Sequence, residues 1–562
     1  MHGDYEAQRH WMEIAAHLPM SQWYFYDLQY WGLDYPPLTA YHSWVFGKIG
    51  SFINPTWFAL YSSRGIEEQL LKVYMRATVI ISEYLLYIPP IVTGNFILGK
   101  LENVTSWESS IALVGILMQP ATILIDHAHF QYNTVMLGFV AATVSTLLSE
   151  NFAFASIFFV LALSFKQMAL YYAPAIFFYL FGISLSPSFR PLRLLSIAIM
   201  TILSFALVVL PLVVGTFYDQ RRGINPPLDR SDRQINPLFS TFSPYINPSS
   251  IYYPYILQLS QLLHRVFPFA RGIFEDKVAN LWCCIHLVHK LHNYPTALLQ
   301  RLSLLTTLVA IQPACMLISL FPRRNLILWA LASTSWGFFL WSFQVHEKSV
   351  LLPLLPMTLL LGGQGGLGVE LRAWIGFANL LGTWTLFPLL KRDELRVPYF
   401  VLTLLWAYLL GLPPTSFSCY FGPQAAKGGL KPLTKLLHLL FYTVMIGWHI
   451  VEATQQPPPG KPDLWVVLNV VIGAIGFGVC YLWCTWQTIL RSGVLEEWFG
   501  YRAEQEGKSL EDRAKALPLP WPLSKAKDSV AEKTSSEKDA VARKEKSPSP
   551  TERRKTRGKK KS

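Results

Sequence analysis

Apolar stretches of roughly 15 to 25 residues recur along the chain between short polar segments, and a helix needs about 20 such residues to cross a hydrocarbon core about 30 Å thick. The runs are continuous rather than alternating, which excludes a porin-like barrel. They predict spans near 76–98, 109–126, 134–149, 152–166, 171–185, 194–216, 298–320, 326–343, 349–362, 371–390, 397–411, 433–453 and 464–488. Thirteen is an odd number, so the two ends fall on opposite sides of the membrane. The Lys/Arg-rich tail belongs in the cytosol by the positive-inside rule, which puts residues 1–75 on the lumenal or exterior side. That segment is polar and aromatic and opens on Met-His-Gly-Asp, without the apolar core of a signal peptide. A second long polar segment, 217–297, carries Pro226, Pro227, Pro237, Pro244 and Pro248 and falls on the same side. The expected fold is an all-α polytopic membrane protein in five parts. These are a first lumenal loop (1–75), membrane helices (76–216), a second lumenal loop (217–297), further membrane helices (298–488) and a basic cytosolic tail (489–562).

Composition sharpens this reading. The chain is 52% hydrophobic and only 15% charged, whereas soluble domains carry about a quarter charged residues. The formal charge is +13, but from Trp521 to Ser562 there are 14 Lys/Arg against 6 Asp/Glu, so +8 of it sits in a low-complexity tail that cannot bury a core. Nucleic acid is therefore not an expected partner. Arg190, Arg193, Arg323, Arg324, Lys427 and Lys431 fall on the expected cytosolic side, whereas Lys391, Arg392 and Arg396 do not. The six cysteines show neither paired nor zinc-like spacing and read as small apolar fillers. Lys559 and Lys560 stand fourth and third from the carboxyl terminus, as in a dilysine signal for return to the endoplasmic reticulum.

Polar groups concentrate on one face. Gly3–Glu13 reads GDYEAQRHWME and Tyr30–Pro37 reads YWGLDYPP; carboxylates flanked by Tyr and Trp suit sugars, whose apolar faces pack on rings while their hydroxyls donate to carboxylates. The same residues also fit an interfacial aromatic belt with an ordinary salt bridge from Asp4 or Glu6 to Arg9. Asp126-His127-Ala128-His129-Phe130-Gln131-Tyr132-Asn133 joins two spans on that face. Two ligands, Asp126 and His129, are too few to define a metal site, so hydrogen bonding is the better account. Lys166-Gln167, the FPFARGIFEDK segment with Arg271, Glu275 and Asp276, and Val345-His346-Glu347-Lys348 complete the set. At least three cations on one face, Lys166, Arg271 and Lys348, exceed what interface anchoring requires and fit a phosphate-bearing lipid headgroup. No GxGxxG, Walker, GxSxG or HExxH motif occurs. A transporter is expected to show ionisable groups at mid-membrane, and Glu83 is the main one inside a span.

GDYEAQRHWMEI, QYWGLDYPPLTAYHS, DHAHFQYN, FKQMALYYAP, FPFARGIFEDKVANLWC and VHEKS, in this order, closely resemble the dolichyl-phosphate-glucose-dependent α-1,3-glucosyltransferases of the endoplasmic reticulum. The resemblance runs from Gly3 to about Trp486 and is nearest to the members that add the first glucose. Members that add the second share the LDYPP-type element and rank second. It implies a GT-C type glycosyltransferase working at the lumenal membrane surface, with dolichyl-phosphate-glucose as donor and Man9GlcNAc2-PP-dolichol as acceptor. It further implies one inverting displacement with a single general base and no cofactor; a lipid monophosphate donor offers little reason for a metal. By resemblance Asp4 is that base, Asp34 a second acidic position and His346 a histidine near the leaving phosphate. Glu6, Arg9, Tyr35, His129, Lys166, Gln167, Arg271, Glu275, Asp276, Glu347 and Lys348 are the expected substrate-binding set.

Two outcomes test this reading. Asn103-Val104-Thr105 is the only glycosylation sequon and falls in a cytosolic loop, so glycosidase treatment is expected to leave the protein's mobility unchanged; a shift traced to Asn103 reverses the orientation. Family members carry a membrane helix ahead of the GDYEAQRHW loop, whereas Met1 here stands two residues before Gly3. The chain as written is expected to be poorly active and to be rescued by an added upstream helix; equal complementation by both forms contradicts this.

Overall fold

The computed structural model describes residues 3–224, 236–247, 249–267, 277–423 and 429–495. Among these the regular elements are all helices. Eight helices are long and apolar enough to cross a membrane: Gln69–Leu101, Ser106–Phe130, Gln167–Leu185, Pro191–Arg221, Thr296–Leu320, Val369–Arg392, Pro432–Thr454 and Leu464–Ser492. Asn133–Leu148, Phe152–Phe165 and Arg396–Leu409 are apolar but shorter, and the segments expected at 326–343 and 349–362 contain helices Ile327–Trp341 and Leu351–Leu359. All thirteen expected segments thus overlap helices, and the five that fall below crossing length do so because polar turns cut them short.

Local signals account for several boundaries. Thr105 and Glu108 form a reciprocal capping box at the start of Ser106–Phe130, and Pro191 opens Pro191–Arg221 at the position where its missing N–H costs nothing. The long faces of Pro191–Arg221 leave Leu192, Leu195, Ile199 and Ile202 exposed, as lipid-facing positions should be. Elsewhere small residues let backbones approach. A Cβ on Gly138 would stand 2.1 Å from the Leu86 carbonyl oxygen, and one on Gly182 would stand 2.3 Å from that of Ser319; such close contacts drive helix association where apolar burial alone does not. Cys315, Cys419, Cys480 and Cys484 are buried in helical segments, and no disulfide joins any of the six cysteines.

Residues 3–75 are more ordered than a loop. Gly3–His17 (α1) and Pro37–Ile53 (α2) are helices that pack on each other. The second polar segment reaches them through helix Tyr253–Val266: Arg265 donates to the carbonyls of Leu33 (3.1 Å) and Gly32 (2.9 Å), and Gln261 donates to that of Tyr24 (3.0 Å). From the other side, Asp219 accepts from the Ser21 amide (3.1 Å). The Arg265 bonds hold the Trp31–Tyr35 stretch, which has no regular structure of its own.

An ionic network locks α1. Arg9 has no exposed surface; its guanidinium donates to Glu6 (2.7 and 2.9 Å), to Glu13 (2.9 Å) and to Ser63 (2.7 Å). Glu6 also accepts from Tyr30 (3.0 Å) and the Gly65 amide (3.2 Å), and Glu13 from the Tyr61 amide (2.9 Å) and Ser63 (3.1 Å). Burial alone pushes the Glu13 carboxyl up, but hydrogen bonds from His10 and Arg9 bring it down to about 2. The stability it contributes is therefore present above its ordinary value of 4.5 and is lost as pH falls from there toward about 2. Removing Arg9 leaves two buried carboxylates without their cation. Arg9→Met is expected to cost about 3–5 kcal/mol, read as a lower melting temperature of the detergent-purified protein; an unchanged melting temperature contradicts the network's role.

Candidate active site

Helical geometry divides α1 into two faces. At 3.6 residues per turn Glu6, Arg9 and Glu13 share one side, while Asp4, Gln8 and Trp11 share the opposite one. The second face lines a cavity of about 570 Å³ together with Asp34, Tyr35, His129, Gln131, Lys166, Gln167, Arg265, His346, Glu347, Lys348 and Arg392. Trp11 anchors the wall by donating to the Trp31 carbonyl (2.9 Å) and packing against Tyr35, ring centroids 4.8 Å apart.

The cavity floor comes from the end of Ser106–Phe130, whose last turn, Leu124–Phe130, is π-helical. Such turns are rare and recur at functional sites. Phe130 then takes φ +89°, a left-handed value costly for a bulky residue. The irregularity separates neighbouring side chains that a regular helix would stack. His127 pairs with Glu83, which explains the charge inside that span, whereas His129 turns to the cavity. Asp126 accepts from Asn133 (2.8 Å) and the Thr134 amide (2.5 Å). Asp126 and His129 thus have separate hydrogen-bonding partners.

At the centre, Asp4 Oδ2 meets His129 Nε2 at 2.6 Å and accepts from the Lys348 ammonium; the Lys348 Nζ and His129 Nε2 stand 3.4 Å apart. Burial works to raise the Asp4 carboxyl, but the His129 hydrogen bond and the Lys348 charge outweigh it and hold the group well below the usual carboxylate range. Asp4 is ionised at any working pH. Behind His129, its Nδ1 bonds the carboxylate of buried Asp393. Lys166 donates to Asn133 Oδ1 (2.6 Å) and stands 5.0 Å over the Tyr35 ring; among the described residues its ammonium makes no ion pair. Gln167 donates to the Val266 carbonyl (3.2 Å).

Of the expected site residues, Asp4, Asp34, Tyr35, His129, Lys166, Gln167, His346, Glu347 and Lys348 converge on this cavity. Glu6 and Arg9 do not line it; they belong to the buried network on the far side of α1. Arg271, Glu275 and Asp276 lie outside the described residues. Gln8, Trp11, Arg265, Arg392 and Asp393 were not anticipated as site residues. The one signal for the last pair was the Lys391–Arg396 segment, basic on the side where basic residues are scarce.

Known sequences place the chain independently of this geometry. The profile of the ALG6, ALG8 glycosyltransferase family matches residues 1–223 and 238–486. The chain belongs to this family. Among its relatives, the probable dolichyl pyrophosphate Man9GlcNAc2 alpha-1,3-glucosyltransferase of Schizosaccharomyces pombe is 44% identical over 486 residues, covering 86% of this chain and 85% of that one. The dolichyl pyrophosphate Man9GlcNAc2 alpha-1,3-glucosyltransferase of Saccharomyces cerevisiae is 42% identical over 513 residues (88% and 87%), and that of Gallus gallus 35% identical over 515 (86% and 91%). As a member of the ALG6, ALG8 glycosyltransferase family, the chain carries this cavity within the matched region.

Proposed function

We propose that this protein is an α-1,3-glucosyltransferase that moves glucose from dolichyl-phosphate-glucose to Man9GlcNAc2-PP-dolichol at the lumenal face of the endoplasmic reticulum membrane. The observation that carries the reading is Asp4, an ionised carboxylate in a sugar-sized cavity with cations beside it. The acceptor hydroxyl oxygen attacks the anomeric carbon and gives its proton to Asp4, while the bond to the phosphate oxygen breaks and dolichyl phosphate leaves. One displacement turns a β donor into an α product, so one base suffices and the phosphate leaves without a general acid. The developing charge resembles that of glycosidase transition states.

Role assignment follows charge. Lys348 is committed to Asp4, so Lys166, held by a neutral amide, balances the donor phosphate, with His346 near the leaving oxygen and Asp34 orienting the acceptor. No step requires a metal or another cofactor. We read the arrangement as GT-C with thirteen crossings, eight of them made by helices of crossing length and five by shorter apolar helices. If the membrane segments alternate, residues 4, 129, 166, 346–348 and 391–393 all fall at ends on one side, and these are the ends that meet in the cavity. The basic tail then lies in the cytosol.

Purified protein given synthetic dolichyl-phosphate-glucose is expected to glucosylate the Man9 acceptor and not the Glc1Man9 acceptor, with EDTA present. Product only from Glc1Man9 assigns the second-glucose reaction instead, and product dependent on added metal removes metal independence. Asp4→Asn is expected to fall below a tenth of wild-type transfer with donor binding retained; higher activity contradicts its role as base. Lys166→Gln is expected to raise the donor KM roughly tenfold or more, as loss of a charged hydrogen bond does; an unchanged KM moves the phosphate elsewhere.

A further inference from the structure

We propose that Asp393 is a positioning residue which, acting through His129, fixes the Asp4 carboxylate so that Oδ2 is occupied and Oδ1 takes the acceptor proton. The inference rests on the reading of Asp4 as general base.

Three observations carry it. First, the contacts that Asp4 makes with His129 and Lys348 both fall on Oδ2, and among the described residues none falls on Oδ1. A carboxylate pinned through one oxygen presents the other in a defined direction, which is what a general base needs. Second, His129 has a carboxylate on each ring nitrogen, Asp393 on Nδ1 and Asp4 on Nε2. The hydrogen bonds to Asp393 and Asp4 outweigh burial, so both ring nitrogens are held as donors and the ring keeps one orientation. Third, the Asp393 side chain has no exposed surface and the His129 side chain almost none, while the two residues lie 264 positions apart. The pair therefore ties the end of Val369–Arg392 to the π-helical turn beneath the cavity. Among the described residues the charged groups facing the pair include Asp4, Lys348 and Arg392, whose Nε stands 3.8 Å from Asp393 Oδ1, with Asp34, Lys166, Arg265, His346 and Glu347 lining the same cavity. Without the Asp393 charge the imidazolium loses its fixed partner. The ring is then free to present a bare nitrogen to Asp4 Oδ2, and the carboxylate loses its orientation.

The test uses the full chain, with Asp393→Asn, Asp393→Glu, His129→Gln and the His129→Gln/Asp393→Asn pair assayed beside Asp4→Asn. Asp393→Asn is expected to lower kcat at least tenfold with the donor KM within twofold, and to shift the alkaline limb of the kcat profile to lower pH. Asp393→Glu is expected to recover part of the lost kcat. The double variant is expected to cost no more than His129→Gln alone, because one residue acts through the other. Multiplicative losses in the double variant overturn the proposal, as does an Asp393→Asn profile of wild-type shape with only a lower melting temperature. Should Asp393→Asn not fold, Asp393→Glu decides: a lowered kcat with unchanged KM and melting temperature supports positioning, and wild-type kcat overturns it. Activity retained in Asp4→Asn marks failure of the base assignment itself, whereas an inactive Asp4→Asn beside a wild-type-like Asp393→Asn marks failure of this inference alone.

Discussion

Arg9, buried between Glu6 and Glu13, is the constraint on which the cavity depends. A guanidinium with no exposed surface is tolerable only if its donors are matched, and here two carboxylates and a hydroxyl match them. The match needs α1 at one rotation and one depth against Tyr30 and the Trp57–Gly65 segment. Once that side is locked, Asp4, Gln8 and Trp11 have no freedom about where they point. The network adds to the burial of Trp11, Met12 and Ile14 in holding α1, and Asp4 sits in its first turn.

The electrostatics of the cavity follow a division of labour. Lys348 and His129 flank Asp4 and hold its carboxyl well below the usual carboxylate range. Lys166 reaches the same space held by the side-chain oxygen of Asn133, whose amide nitrogen donates to Asp126. One cation is thus spent on the base and another is left for an anion. This arrangement suits a substrate that brings its own negative charge to a membrane surface, where water is scarce and an unmatched cation is costly.

Much of this was legible in the sequence because membrane helices announce themselves by length, and polar clusters at their ends stand out against apolar runs. The convergence of Asp4, His129, Lys166 and Lys348 followed from assigning their segments to one side. Where the reading fell short, the reasons are local. The sequence predicts a loop over residues 3–17, and only as a helix does their spacing separate Glu6 and Arg9 from Asp4. Asp393 was hidden in a segment noticed for its basic neighbours, and a pairing across 264 residues leaves no trace in periodicity. The π-helical turn at Leu124–Phe130 violates the regular period that sequence reading relies on, and it does so at the site, where irregular backbone is concentrated.

The central claim is that the free oxygen of Asp4 receives the acceptor proton while its other oxygen stays pinned by His129 and Lys348. The most direct measurement is an experimental structure of the Asp4→Asn protein with dolichyl-phosphate-glucose and a Man9-type acceptor bound together. The account predicts the acceptor hydroxyl about 3 Å from the position-4 side-chain atom that does not touch His129, with the donor phosphate on Lys166. An acceptor hydroxyl resting on Asp34, or a position-4 side chain turned away from the bound sugar, contradicts it.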